Sequence, residues 1–321
     1  MRPVQETSPH PALHAPLRRL VNIEADEVGA TLLSFAYFFT LLCGYYIIRP
    51  IRDEMAILGG IENIQWLFLA VFLSMLALVP LFGWLTSRLP RARFLPIAYG
   101  FFALNLVGFY LLFRQETVPL AAARGFYVWV SVFNLFVVSV FWSFMTDIFS
   151  DAQARRLFPF IAAGGTCGAL LGPTLTALLV EPLGMHNLML MSAGCLLLAI
   201  AIIVRLGRRH VSTTSATGNS SVSMGGGVWD GIRLVLGSRY LLGVCALILL
   251  YTMLSTFLYF QQAQILEGAF DDSRDRTAVF AYIDILVNAL TLGCQVFITG
   301  RLVRGLGLVA MGSGAFLLLT T

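Results

Sequence analysis

The chain has 321 residues, of which 58% are hydrophobic and 12% charged, about half the charged share of an ordinary soluble domain. That balance points to a membrane protein. All 21 positively charged side chains are arginine, which disfavours phosphate-loop ATPases and Schiff-base enzymes, whose chemistry relies on a lysine amine.

The five cysteines, Cys43, Cys167, Cys195, Cys245 and Cys294, each stand alone in an apolar run with no CxxC pair. They read as small buried hydrophobes rather than disulfides or metal ligands. The histidines, His10, His14, His186 and His210, fall in the tail or at predicted loops and span ends. No metal site and no Ser or Cys triad at one membrane depth can be composed from them, so the chain reads as neither a metalloprotein nor an enzyme, with no bound cofactor and no nucleic-acid partner.

Residues 1–27 are Pro-rich and polar and lack the apolar core and small-residue cleavage site of a signal peptide. About 20 helical residues cross a bilayer core, and eight segments qualify: 28–49, 64–86, 94–113, 126–148, 157–180, 186–205, 239–260 and 278–299. A ninth begins near 306 and meets the end of the sequence, so the chain reads as a piece of a longer protein.

Span 1 ends in GYYIIRPIRDEMAILGG, residues 44–60. Pro50 has no backbone N–H and disfavours helical geometry at Arg49, which predicts a kink or break there. If the helix resumes, Arg49, Arg52 and Asp53 share one face. Two readings stand. The charges mark the outer membrane surface, with Tyr45 and Tyr46 in the interfacial aromatic belt; or Tyr45, Tyr46, Arg49 and Arg52 line a cavity and offer guanidinium forks to an anionic substrate, with Asp53 as a gating partner that holds an arginine when the site is empty.

Span 4 carries Asn134, expected near substrate, and a polar stripe of Ser139, Trp142, Ser143 and Thr146 that should face the bundle interior. Asp147 ends that span, where it either caps the helix in solvent or pairs as a gate with the arginines of the 88–93 loop, Arg88 first. Span 5 contains GGTCGALLGP: Gly164, Gly168 and Gly172 lie four apart and form a packing face, and Pro173 permits a bend. Despite its glycines this stretch lacks the lysine and hydroxyl of a phosphate loop.

Residues 206–238 read as a cytoplasmic linker followed by an amphipathic segment. They divide a six-span half, 28–205, from an incomplete second half, 239–321. A faint repeat supports the division, because Gly83, Leu85 and Leu89 recur as Gly300, Leu302 and Leu306. In span 7, Tyr259, Gln261 and Gln262 crowd one end. In span 8, Asp284 and Asn288 lie four apart; a carboxylate at the centre of an inserted helix costs about 2.5–3.5 kcal/mol, so Asp284 should face the bundle interior. It is a substrate-positioning or coupling carboxylate, or else it pairs with Arg49 or Arg52.

With the N-terminus in the cytoplasm, fifteen of the 21 arginines fall on the cytoplasmic side, the bias that sets topology. Arg49, Arg52, Arg114, Arg124, Arg274 and Arg276 fall on the other.

The loop GWLTSRLPRARF, with Gly83, Arg88 and Arg91, together with this span pattern, resembles the major facilitator superfamily, although Ser87 stands where an Asp is usual and Pro90 where a second Gly is. Within it, YYIIRPIRDEM, VFNLFVVSVFWSFMTDIF, RLFPFIAAGGTCGALLGP, STFLYFQQ and DRTAVFAYIDILVN are similar to the bacterial ADP/ATP carrier-like, or NTP/NDP exchange, transporters. The resemblance implies an all-α integral membrane bundle of two pseudo-symmetric halves, the second truncated. It implies alternating-access exchange of an anionic or phosphorylated solute such as a nucleotide, by a monomer in the bacterial inner membrane. Proton-coupled export of another small molecule, or a scaffold that no longer transports, are the other readings.

Overall fold

The computed structural model describes residues 24, 27–88, 91–115, 118–213 and 236–294. Eight long helices run through them, and among the described residues there is no strand. The helices are α1 (Val28–Leu58), α2 (Ile64–Arg88), α3 (Arg91–Phe113), α4 (Leu120–Ile148), α5 (Asp151–Leu183), α6 (Met185–Thr213), α7 (Arg239–Ala269) and α8 (Ser273–Cys294), with one short 3-10 turn at Ile61–Asn63. All eight are long and apolar enough to cross a membrane. They coincide with the eight expected spans. The expected ninth span, the repeat around Gly300 and the 214–235 stretch of the linker lie outside the described residues, while α6 continues to Thr213, past the expected end of span 6.

Helix α1 is the centre of the bundle. It packs most extensively on α5, then on α6 and α4, and touches α8; α3 lies against α6, α2 against α4, and α8 against α5. Its buried side chains, among them Tyr37, Leu41, Ile47, Ile48, Ile51 and Met55, point all round the helix rather than along one stripe, as expected of a helix enclosed by others. The aromatic core beside it includes Phe38 stacked on Phe141 at 4.1 Å and Trp129 stacked on Phe133 at 5.4 Å. Tyr37 and Tyr99, both fully buried, satisfy each other through a 2.6 Å hydroxyl contact.

Two expectations are corrected here. Pro50 does not end α1, which runs as one helix to Leu58. Thr176 of α5 donates to the carbonyl of Ile47 at 2.9 Å, in the turn that the proline weakens. Neighbouring hydroxyls of this kind are what let prolines persist in membrane helices. Likewise α5 continues through Pro159, Pro173 and Pro182. The polar stripe of α4 reaches the packed interior only at Trp142, which meets Phe38 of α1 at 5.4 Å and Phe158 of α5 at 5.3 Å: Ser139 and Thr146 are exposed and Ser143 half-buried, and the buried face is Phe126, Tyr127, Val130, Phe133, Val137, Val140, Phe141 and Phe144. Aromatic rings take that face because they bury more apolar area. Thr146 meets its hydrogen-bonding need by donating to the Ser143 carbonyl at 2.8 Å.

The glycine face of α5 is where the spacing put it. A Cβ on Gly164 would lie 2.6 Å from the Phe35 carbonyl oxygen, one on Gly172 2.6 Å from the Tyr46 Cβ, and one on Gly168 would run into the Phe39 carbonyl. These contacts climb α1 turn by turn, which gives α1 and α5 the most extensive helix–helix contact among the described residues. The turn after α1 is set by Gly60, whose φ of 92° is in the left-handed region and suits glycine. Arg124 of α4 ties it down by donating to the Gly59 carbonyl at 2.8 Å.

Candidate functional site

Because α1 does not stop at Arg49, the RPIRDE stretch enters a packed environment. Its four charged residues meet α4, α7 and α8 at the end of the bundle where α1 and α7 finish and α8 begins. Arg49 Nη1 lies 3.1 Å from Asp284 Oδ1 of α8; the arginine side chain is 29% exposed and the aspartate 8%. The Arg49 guanidinium also sits 5.3 Å from the Tyr46 ring centroid, and Tyr45 packs edge-on to Tyr46 at 5.1 Å. Asn288, one turn along α8, donates to the Asp284 backbone carbonyl at 2.8 Å, and its side chain also shares a hydrogen bond with Tyr46. Asp284 Oδ2 is buried and, among the described residues, has no hydrogen-bond partner. That pair is therefore half-satisfied.

Arg52 reaches Asp53 beside it, with Nε at 3.0 Å and Nη2 at 2.6 Å from Oδ1. The same oxygen accepts from the Tyr259 hydroxyl of α7 at 3.0 Å, and the Arg52 guanidinium stands 5.4 Å from the Tyr127 ring centroid of α4. This cluster borders a cavity of about 250 Å³ lined by Arg52, Phe68, Val71, Tyr127, Ser131, Ser255, Thr256 and Tyr259. A larger depression of about 670 Å³ between α2 and α4 is lined mainly by apolar residues such as Trp66, Leu67 and Val132, with Arg124 at its edge, and is lined by none of the charged groups of this cluster.

The third contact was not legible as a site. Glu54, fully buried, accepts from Arg276 of α8 through Nε (3.1 and 2.9 Å to its two oxygens) and Nη2 (2.7 Å). The Ser273 hydroxyl adds a 2.6 Å bond to the same carboxylate. Arg276 Nη1 then donates to the carbonyls of Phe270 and Asp271, at 2.7 and 3.1 Å, and so closes the α7–α8 turn. With span 1 expected to stop at residue 49, Glu54 fell outside the membrane and Arg276 counted only toward topology. The available signal was an acidic residue four places past a proline that does not break the helix.

At the opposite end of α1, Glu27 is buried and accepts from Gln153 (2.9 Å) and Arg156 (3.0 Å) of α5. Gln153 also completes the capping box of α5 with Ser150. These contacts stay between α1 and α5, whereas those at the RPIRDE end bring in α7 and α8.

Of the residues expected at a site, Tyr45, Tyr46, Arg49, Arg52, Asp53, Tyr259, Asp284 and Asn288 come together. Gln261 is exposed and Gln262 half-buried on α7, and Asn134 is half-buried on α4, so the structure does not bring these three into the cluster. Asp147 is exposed at the far end of α4, and the Arg88 side chain of the expected gate lies outside the described residues. Among those residues no three of His, Cys, Asp and Glu gather as a metal site would require.

Comparison with known families settles the broad class. A family profile for the Major Facilitator Superfamily matches residues 31–321. The chain belongs to the Major Facilitator Superfamily. Its eight apolar helices are an all-α bundle of that superfamily's type, and the molecule is a multi-pass membrane protein and a secondary transporter, as superfamily members are. Searches of curated proteins and of solved structures return no match.

Proposed function

We propose that this transporter moves or exchanges an anionic or phosphorylated solute, nucleotides such as ATP and ADP first, by alternating access between two six-helix halves. The observation that carries the reading is the state of Arg49. It lies inside the bundle, keeps part of its surface accessible, stacks on Tyr46, and is held by a carboxylate from α8 with an oxygen to spare. An incoming phosphate or carboxylate offers two oxygens to the planar guanidinium fork, a bidentate match that lysine cannot make. Asp284 is then the group the substrate displaces, and Arg52, held by Asp53 and Tyr259 beside the 250 Å³ cavity, is the second anion contact.

In this reading the RPIRDE end faces the cell exterior, and its links to α7 and α8 are the closed gate of an inward-facing state. The contrast between the ends of α1 supports that direction. Counterflow of labelled nucleotides into liposomes loaded with unlabelled nucleotide tests the substrate class. Arg49→Ala should abolish counterflow while the protein remains folded; unchanged counterflow removes Arg49 from the substrate path.

A second reading, proton-coupled export, is favoured by Asp284 Oδ2, because a buried carboxylate oxygen without a partner is a place where a proton gains a hydrogen bond. The charged and titratable groups around it are Arg49, Arg52, Asp53 and Tyr46. If Asp284→Asn leaves both the rate and its pH dependence unchanged, coupling through this residue is ruled out.

A further inference from the structure

Two of the five cysteines, which stand alone in the sequence, are neighbours in the fold. Cys43 lies in the middle of α1 and Cys195 on the facing stretch of α6, against the next residue of α1, Gly44, and the two thiols are within interacting reach of each other. The backbone explains why. Residue 44 is glycine, and a Cβ built there would lie 2.9 Å from the Cys195 Cβ, so α6 rests directly on the α1 main chain at this level. Ser192, one turn before Cys195, fastens the approach by donating to the Gly44 carbonyl at 2.7 Å. Cys43 is buried at 4% exposure while Cys195 is half-buried, and neither is in a disulfide. Cys167 and Cys245, by contrast, are exposed single thiols.

We propose that Cys43 and Cys195 form a dithiol site that takes a soft, thiophilic acceptor as a two-sulfur bridge, with trivalent arsenic as its chemical type. Sulfur ligands select soft acceptors over hard ones. The setting selects further, because a charged adduct is costly in an apolar helix interface. A monoaryl arsenic(III) oxide meets both conditions. Two As–S bonds form, the arsenic–oxygen bond breaks, and the oxygen leaves as water with the two thiol protons. Arsenic stays trivalent and the bridge is neutral. The half-exposed Cys195 is the point of entry, and Cys43 completes the bridge. Exposed single thiols lack the second sulfur.

The test uses the full chain in liposomes exposed to phenylarsine oxide, washed, denatured and alkylated with a maleimide. The wild type should show alkylatable thiols falling from five to three and one phenylarsenic group per chain by intact mass, with the Cys43 and Cys195 peptides joined by it. A small dithiol should restore all five. Cys195→Ala should lose arsenic retention altogether, as should Cys43→Ala. Cys167→Ala and Cys245→Ala should keep it. Because Cys195 is half-buried, its alanine variant tests the site even where Cys43→Ala fails to fold. Arsenic retained in Cys195→Ala, or a wild type that keeps five alkylatable thiols, overturns the proposal.

Discussion

Two arginine–carboxylate pairs join α1 to α8 within five residues of each other on α1, and they are built differently. In Glu54–Arg276 each guanidinium nitrogen and both carboxylate oxygens have partners, supplied partly by Ser273 and the carbonyls of the α7–α8 turn. In Arg49–Asp284 a single 3.1 Å contact joins a part-exposed guanidinium to a carboxylate whose other oxygen has none. The low dielectric that strengthens a complete network makes an incomplete one costly. A pair of the first kind persists because nothing arriving from solution improves on it. A pair of the second kind gains by exchanging partners, which is what a binding site requires. The lesson is that burial alone does not separate structural charges from functional ones; completeness of the hydrogen bonding does.

The largest expected effect breaks the complete pair from one side. Arg276→Ala leaves the fully buried Glu54 carboxylate without its counter-charge, and it should destabilise the fold by about 3–5 kcal/mol, read as a loss of monodisperse protein and a lower melting temperature in detergent. Replacing both partners by leucine should recover much of that loss, because the penalty belongs to the orphaned charge rather than to the missing pair. A double variant as unstable as the single would mean that the network carries more than charge neutralisation.

Next in size is Gly168→Ala. Its Cβ runs into the Phe39 carbonyl of α1, a backbone atom that cannot rotate away, so about 1–3 kcal/mol of overpacking strain is expected in the same melting assay. The change leaves both ion pairs chemically intact and reports what helix spacing alone contributes.

How much of this was readable beforehand follows from which forces are local. The eight spans were legible because apolar length is a property of each segment, and so was the Gly164–Gly168–Gly172 face, which needs only the helical repeat. The nearness of Asp284 to Arg49 was open to inference, since a carboxylate in a span must face a partner. Glu54–Arg276 and Cys43–Cys195 were not legible. Each joins residues far apart in sequence, 222 positions for the first pair, and depends on how α1 is enclosed. The break considered at Pro50 does not occur for a related reason: the Thr176 hydroxyl from α5 bonds the Ile47 carbonyl in the weakened turn, and local rules do not see α5. The α4 stripe failed because the serines and threonines had competitors for burial that the polar pattern ignored.

The smallest effect on stability is also the sharpest probe of the incomplete pair. Asp284→Asn keeps the shape of the side chain and the oxygen that faces Arg49, and replaces the unpartnered oxygen with an amide. It removes an ion pair whose arginine is 29% exposed, so the melting temperature should fall by less than for Arg276→Ala, with a cost of about 1 kcal/mol. Transport should respond much more. With no carboxylate to compete for Arg49, an anionic substrate should bind more tightly and leave more slowly, which lowers both the half-saturating concentration and the maximal exchange rate. About tenfold in each corresponds to about 1.4 kcal/mol. Arg49→Ala should instead abolish exchange and weaken substrate binding, so in equilibrium binding of labelled nucleotide the two variants depart from wild type in opposite directions on one axis, half-saturation. Had Arg49–Asp284 been a structural pair like Glu54–Arg276, both variants would lower stability together and half-saturation would not separate them. Opposite shifts in half-saturation at near-wild-type melting temperatures are therefore the result that assigns exchange to this pair and leaves holding the helices together to the other.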